Sequence, residues 1–549
     1  MKYLIIGAVA GGASTAARLR RLDEHAEIII FEKGEYISYA NCGLPYYIGN
    51  VIKDRNQLFV QTATAFNQRF NIDVRVKTEI TAIDPSKKTV MALDQTNGNS
   101  YEESYDKLIL SPGAEPIKPP FPGIHNEGIF TLRNVKDTDY IKAYVDKNKS
   151  GKAVVIGAGF IGLEMAENLH QLGMQVSIIE MGNQILAPVD FPVAAELQQH
   201  IRSKGIDLRL STTVAGFDKE NGQLKVLIQD QESIEADVVI LSIGVRPDTK
   251  LAVQAGLKLG AAKGIWVNAY LQTSNPDIYA VGDAIEFENP ITNQSMNTYL
   301  AGPANKQGRI CANNVVNGNK EWYKGAINTA IVKVFDITVA TAGMASKHLS
   351  KANIEHQVST TQSGSHAGYY PGAKQMTIQI AFSTNNGRLL GAQVAGYDGV
   401  DKRIELLSQA IKQGQTIYDL MQIEHAYAPP FSSAKDPVNM AGFVADNILS
   451  KKMNPIYWNQ LSQNEDALLV DVRTQDEYNL GHIKGAIHIP IDDLRTRIKE
   501  LDCSKKIIVY CAVGQRGYLA NRILNQNGFE QVFNLSGGYN TWQACNQEF

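Results

Sequence analysis

Cysteine is scarce in this sequence. Five occur among 549 residues, Cys42, Cys311, Cys503, Cys511 and Cys545, an odd number spread over the chain. That usage does not make a disulfide framework and fits a reducing compartment, so a cytoplasmic protein is expected. An excess of either charge is also missing. The formal net charge is −3, which gives no electrostatic footprint for nucleic acid. No uninterrupted apolar run is long enough to cross a bilayer, so no membrane span is expected. The opening MKYLIIGAVAGG has a short apolar stretch that runs into a glycine turn, with Arg18, Arg20 and Arg21 after it; this reads as a buried strand and loop, not a targeting segment. Low-complexity tracts and short repeats are absent too. What is present is an ordinary globular composition, 44% hydrophobic and 20% charged, in a chain long enough for three or four domains.

Residues 2–7 read as an apolar strand, followed by a glycine turn, a helix from about Ala13 to Leu22 and a second strand, Glu27–Phe31, ending at Glu32. The pattern recurs from Ala153, with strand AVVIG, turn GAGFIG, helix LEMAENLHQLG and strand QVSIIE ending at Glu180. A glycine turn between strand and helix lets the backbone approach a pyrophosphate, and the helix N-terminus faces the phosphates with free N–H groups. Gly157, Gly159 and Gly162 form a complete fingerprint, with Glu180 placed for a ribose 2′-OH. Met181 and Gly182 follow it with no adjacent Arg or Lys to hold a 2′-phosphate, which favours NADH, with NADPH as the second candidate. The first copy has Gly7, Gly11 and Gly12, but Val9 stands in the middle glycine's place; Glu32 is still at the ribose position.

Two later segments bear on that first copy: YDKLILSPGA, a strand entering a turn with Ser111 and Gly113, and DIYAVGD, a strand ending at Asp283. With the two fingerprints, they resemble the two-dinucleotide-domain flavoprotein disulfide reductases over residues 1 to about 445. The resemblance implies FAD in the first domain, NADH in the second, and Asp283 on the flavin ribityl chain. No metal site is expected. The fold class implied is α/β: two Rossmann-like dinucleotide-binding domains, an α+β dimerisation domain and a further small α/β domain at the C-terminus. The expected boundaries are 1–112 and 246–322 for the FAD domain, 113–245 for the NAD domain, 323–446 for the dimerisation domain, 447–455 for a linker and 456–549 for the last domain.

Cys42 lies in SYANCGLPY, ten residues after Glu32. An isolated free cysteine is most often buried and inert. This one follows the flavin ribose acid closely enough to pass near the flavin, where a thiolate would be the reactive form. Dithiol members of the family carry a second cysteine five positions on; here that position is Tyr47. The second sulfur must therefore come from substrate, or the cysteine must cycle through a sulfenic acid. SYANCGLPY resembles the signature of coenzyme A-disulfide reductases, whose cysteine forms a mixed disulfide with coenzyme A. Single-cysteine NADH peroxidases and oxidases carry a histidine in the first glycine loop, where this chain has Ala10. Two more segments, GSHAGYYPGA and HAYAPPFSSAKDP, match the same pattern. The resemblance maps Tyr369 and Tyr427 as tyrosines that reach the cysteine of the other subunit, and so implies a homodimer. It also implies that Arg18, Arg21, Asn41 and Arg69 bind the phosphates of coenzyme A; the bland alternative is a solvated arginine face.

The last domain has Cys511 at the end of strand KIIVY, opening the loop Cys511–Gly517 with a helix expected directly after it. Such a loop aims N–H groups at a sulfur. A phosphatase would need a richer basic cradle than Arg516. LVDVRTQDEYNLGHIKGAIHIP and LSGGYNTW resemble rhodanese domains, which carry sulfane sulfur as a cysteine persulfide. On that resemblance Cys511 and Arg516 are functional, and Asp471 and Arg473 structural. Cys311 reads as core; Cys503 and Cys545 have no motif. The combined expectation is an NADH-driven flavoprotein that reduces persulfides such as coenzyme A persulfide or polysulfide at Cys42. The alternative is a coenzyme A-disulfide reductase with an accessory or docking rhodanese domain.

Overall fold

Runs such as KYLII and KAVVI are apolar on both sides, so they form strands covered on both faces, which is the burial of a parallel sheet flanked by helices. In the computed structural model, which describes residues 1–220 and 222–546, they do so twice. The chain divides into two units: Met1–Asn183 with Ile206–Asn328, and Gln184–Gly205 with Thr329 onward.

The first unit holds two parallel five-stranded sheets. One runs in the order Ile278–Ala280, Lys107–Leu110, Lys2–Ile6, Glu27–Glu32, Asp73–Val76. The other runs Asp207–Arg209, Gln175–Ile179, Lys152–Ile156, Val238–Leu241, Ile129–Phe130. In each, the strand before the glycine turn has its successor on one side and a later strand on the other. That reversal opens a crevice at the carboxyl ends of the strands, where ligands bind in this architecture. The first helix spans Ala10–Leu22, starting earlier than the sequence pattern indicates because Gly11 and Gly12 lie within it. Its partner, Ala301–Asn317, packs along it, and Gly308 allows the approach: a Cβ there would stand 2.7 Å from the Gly11 carbonyl oxygen.

The second unit begins with an antiparallel sheet, ordered Ala330–Val334, Ile337–Gly343, Leu389–Gly396, Gln375–Ser383, His356–Gly364. Helices Val400–Lys412 and Pro437–Leu449 cover it, and Phe191–Ser203 packs against its central strands. A parallel sheet follows, ordered Asn454–Ile456, Val532–Leu535, Ile507–Tyr510, Leu468–Asp471, Ile487–His488. The segment read as a linker is thus partly structured: helix runs to Leu449, and Asn454–Ile456 pairs with Phe533–Leu535. Pro455 is tolerated because this is an edge strand, where a missing N–H can face away from the ladder. Cys311 is fully buried, as expected of core.

Candidate active site

The two glycine turns are built alike. Gly7 and Gly157 have φ of +95° and +98°, and a Cβ on either would lie 2.1 or 2.3 Å from the carbonyl oxygen of Ser111 or Ser242. Side chains do not fit there. In each copy the acid at the end of the next strand braces the turn: Ala8 N donates to Glu32 Oε2 at 3.0 Å, and Ala158 N to Glu180 Oε2 at 2.8 Å. Val9 in the first copy therefore leaves the arrangement intact.

The first turn gathers the other residues mapped to the flavin. Ser111 N donates to the Ile6 carbonyl, and Ser111 Oγ lies 2.9 Å from where a Gly11 Cβ would be. Gly113 has φ +78° and lies against the Arg133 guanidinium. Arg133 Nε is buried with no hydrogen-bond partner. Asp283 is half-buried, and burial pushes its carboxyl up to about 6, against the opposing pull of Arg133. A strained cradle, an orphaned buried guanidinium N–H and a desolvated carboxyl are what a bound polar cofactor with phosphates and hydroxyls would complete. The residues present fit FAD. Gly159 fits a dinucleotide in the second copy, since nothing lies within 4 Å of the place its Cβ would take. Glu180→Ala is expected to raise the KM for NADH about tenfold or more with a smaller effect on kcat, as steady-state kinetics at varied NADH would show.

Cys42 sits in a single 3₁₀ turn, Asn41–Gly43, that runs into the helix Leu44–Ile48. The residue is exposed to solvent, yet protein crowds its sulfur; desolvation first, and the charges of Glu164 and Asp283 after it, push the thiol's pKa up. Tyr47 occupies the position of a second cysteine and has the Lys142 ammonium 5.1 Å over its ring.

A groove of about 300 Å³ lies beside the first helix, lined by Arg18, Arg21, Ser38, Gln61, Asn305 and Arg309 over the rings of Phe66 and Phe70. Two of the four residues mapped to coenzyme A, Arg18 and Arg21, line it. Asn41 and Arg69 are exposed and do not. Arg309 escaped the sequence reading because only the packing of Ala301–Asn317 on Ala10–Leu22 brings it there.

In the second unit Tyr369 and Tyr427 meet, their hydroxyls 2.7 Å apart, and both are exposed, 76% and 47%. That hydrogen bond raises the Tyr369 pKa. Behind them is a buried ion pair, Arg403 with Asp436 at 2.8 Å, the side chains 1% and 0% exposed. Arg403 Nη2 also donates to the Ser365 carbonyl, Ser432 Oγ donates to Asp436, and Ala367 N donates to the Ser432 carbonyl. The pair thereby ties residues 364–373, carrying Tyr369, to residues 425–437, carrying Tyr427. Nothing in the sequence pattern singled out Arg403 or Asp436.

In the last domain Cys511 directly follows the strand Ile507–Tyr510 and is fully buried, and Gly514 N donates to Sγ at 3.1 Å. The helix spans Gln515–Gln526, so it starts inside the loop and Arg516 lies in its first turn. The Arg516 guanidinium grips Glu477 through two hydrogen bonds of 2.6 Å, which hold the Glu477 carboxyl down at about 2. Glu477 was not singled out, though its capping box with Thr474 is legible as Thr-x-x-Glu. Asp471 and Arg473 form a buried pair at 2.6 Å, consistent with a structural role. Among the described residues no group of three or more His, Cys, Asp or Glu side chains could hold a metal ion, and no helix is long and apolar enough to cross a membrane.

Paired nucleotide cradles with one cysteine beside the first define a flavin- and pyridine nucleotide-dependent oxidoreductase, and the chain belongs to the pyridine nucleotide-disulphide oxidoreductase family, whose model matches residues 1–308. The dimerisation domain of that family matches residues 329–437, and a rhodanese-like domain matches 455–545. A coenzyme A disulfide reductase of Staphylococcus haemolyticus is 37% identical over 81% of this chain and 100% of its own length. The crystal structure of reduced Bacillus anthracis CoADR-RHD superposes with a TM-score of 0.97 at 46% identity, covering 99% of this chain and 98% of that one. A NAD-dependent persulfide reductase from A. fulgidus gives a TM-score of 0.93 at 37% identity over 99% and 100%.

Proposed function

We propose that this enzyme uses NADH and FAD to reduce persulfides, coenzyme A persulfide foremost, releasing sulfide and thiol, with Cys511 handling sulfane sulfur. The observation that carries this reading is the pairing of a lone Cys42 with an intact, N–H-lined Cys511 loop in one chain. Bound FAD supplies the two electrons taken from NADH. Gly7, Gly11, Gly12, Glu32, Ser111, Gly113 and Asp283 would hold it, and Gly157, Gly159, Gly162 and Glu180 would hold NADH.

The protein's own part begins with the Cys42 thiolate attacking the substrate's S–S bond. One half of the substrate stays on Cys42, as a mixed disulfide with coenzyme A or as a protein persulfide, and the other leaves as a thiolate or hydrosulfide that needs a proton. Arg18 and Arg21, with Arg309, would bind the phosphates of coenzyme A; Asn41 and Arg69 stand at the periphery of that role. Tyr369 and Tyr427 serve the cysteine of a second copy of the chain in a homodimer, their phenols orienting the substrate sulfur by hydrogen bonds. Arg516, gripped by Glu477, fixes the first turn of the helix against the Cys511 loop. Thiol chemistry at Cys42 and Cys511 would suit a reducing compartment such as the cytoplasm.

Coenzyme A-disulfide reduction, with an accessory or docking rhodanese domain, is the second reading. It is supported by the relative that matches 81% of this chain over its whole length. Anaerobic NADH oxidation with coenzyme A persulfide against coenzyme A disulfide separates the two: a clear preference for the persulfide is expected, and equal or better turnover of the disulfide would favour the second. Cys511→Ser is expected to leave reduction of added coenzyme A persulfide intact while abolishing sulfide release that starts from a sulfane donor such as thiosulfate. Unchanged release from the donor would leave Cys511 without a role in sulfur transfer.

A further inference from the structure

The group that protonates the sulfur expelled from the substrate when Cys42 attacks is not assigned within the first unit, and the structure offers one. The chain is helical without a break from Asn41 to Ile48, first as a 3₁₀ turn and then as an α-helix. Tyr46 stands about one turn beyond Cys42, near enough for the charge of one group to act on the other. Tyr46 Oη donates a hydrogen bond of 3.2 Å to Glu164 Oε1. Glu164 belongs to the helix Phe160–Gln171, which begins at the nucleotide turn of the second sheet.

The two helices are held at close quarters. A Cβ on Gly49 would lie 2.0 Å from Asn168 Oδ1, and Asn168 Nδ2 donates to the Glu164 carbonyl at 2.8 Å. Tyr46 and Glu164 therefore meet at a fixed packing point and not by chance at the surface.

The charges there are uniform in sign. Glu164 faces Tyr46 across the helix contact and Glu167 on its own helix; Tyr46 faces Glu164, Glu167 and Cys42; and Cys42 faces Glu164 and Asp283. Burial, reinforced by Glu167 and opposed by the Tyr46 hydrogen bond, pushes the Glu164 carboxyl up to about 7. A carboxylic acid in that range keeps a proton available near neutrality and can be reloaded from solvent.

We propose that Glu164 and Tyr46 form a proton relay serving the sulfur expelled when Cys42 attacks. As the Cys42 Sγ–substrate bond forms, the substrate S–S bond breaks and its electron pair leaves with the departing sulfur. That sulfur takes the phenolic proton of Tyr46 as the Glu164 carboxyl passes its own proton to the phenol in the same step, so no phenolate forms and Glu164 is left a carboxylate; burial and Glu164 itself push the Tyr46 pKa up and forbid a stepwise route. A proton from solvent restores Glu164 before the next turnover. The inference rests on Cys42 being the attacking thiol.

Two measurements on the FAD-loaded enzyme test it. In the first, kcat for NADH oxidation with coenzyme A persulfide and with coenzyme A disulfide is followed against pH. Wild-type turnover should fall as pH rises through 7, because the relay loses its proton. Glu164→Gln and Tyr46→Phe, each retaining flavin, should lower kcat about ten- to a hundredfold and abolish that limb. In the second, alkylation of Cys42 by iodoacetamide is followed against pH without substrate. Removing the Glu164 charge should move its inflection down by about half a pH unit. A wild-type pH profile in Glu164→Gln, or wild-type turnover in Tyr46→Phe, would overturn the relay. Should the wild type turn over neither substrate, the functional reading fails alone; alkylation then decides, and an unshifted inflection in Glu164→Gln overturns the relay.

Discussion

Cys42→Ser is expected to abolish NADH-driven sulfide release, with a loss on the order of 10³-fold or more. A serine hydroxyl is neither appreciably ionised near neutrality nor able to form the S–S intermediate. Tyr47 stands where a second cysteine would be and offers no substitute sulfur. Flavin content should be unchanged, since the cradle of Gly7, Gly12 and Ser111 does not include Cys42. The measurement is anaerobic NADH oxidation with sulfide detection. Full activity in this variant would remove the central assignment and leave the flavin domain without a thiol chemistry.

The largest structural effect is expected at the buried pair behind the tyrosines. Asp436→Ala leaves Arg403 charged and buried, a change that costs about 3–5 kcal/mol. Burial alone would raise the Asp436 pKa; hydrogen bonds from Ser432 and the Val438 amide, with Arg403, outweigh it and hold the carboxyl below its usual range. The stabilising contribution is thus complete above the unfolded-state pKa and is lost as pH falls through the lower folded-state value. A lowered midpoint for this unit in denaturant unfolding at neutral pH checks the variant. The double replacement Arg403→Met with Asp436→Leu should recover part of the stability, because it leaves no unpaired charge, while the hydrogen bonds of Ser432 and the Val438 amide to Asp436 stay lost. It should not recover the geometry of Tyr369 and Tyr427, since the hydrogen bond to the Ser365 carbonyl goes with Arg403. Stability partly regained without activity would separate the pair's two contributions.

The parts legible in the sequence were those whose chemistry is local. A glycine turn needs its glycines within a few residues, and its bracing acid ends the very next strand, so Gly157 and Glu180 declare themselves. Cys511 does so as well, because strand, loop and helix are contiguous. Val9 obscured the first turn on paper, yet Ala8 still donates to Glu32 as Ala158 does to Glu180. The features that stayed hidden depend on contacts between distant segments. Arg309 reaches the groove through helix packing, Glu164 reaches Tyr46 across 118 residues, and Arg403 reaches Asp436 from another helix. No periodicity records which face of one helix meets which face of another. The linker was misread in part for a related reason: Asn-Pro signals a turn locally, and only its pairing with Phe533–Leu535 makes it an edge strand.

That edge strand limits how far the last domain can swing. Only residues 450–453 separate the helix ending at Leu449 from the strand starting at Asn454, a tether of at most ~14 Å when fully drawn out. The rhodanese domain is also strapped to the sheet beside it: Tyr457 Oη donates to the Val358 carbonyl at 2.9 Å, Gln362 Nε2 to Thr541 at 3.1 Å, and Trp458 stacks on Phe191 at 5.1 Å. Such an attachment does not work as a swinging arm of the kind that ferries a lipoyl group between stations. Cys511 is held in a fixed place against that sheet, and the last domain works as a stationary platform.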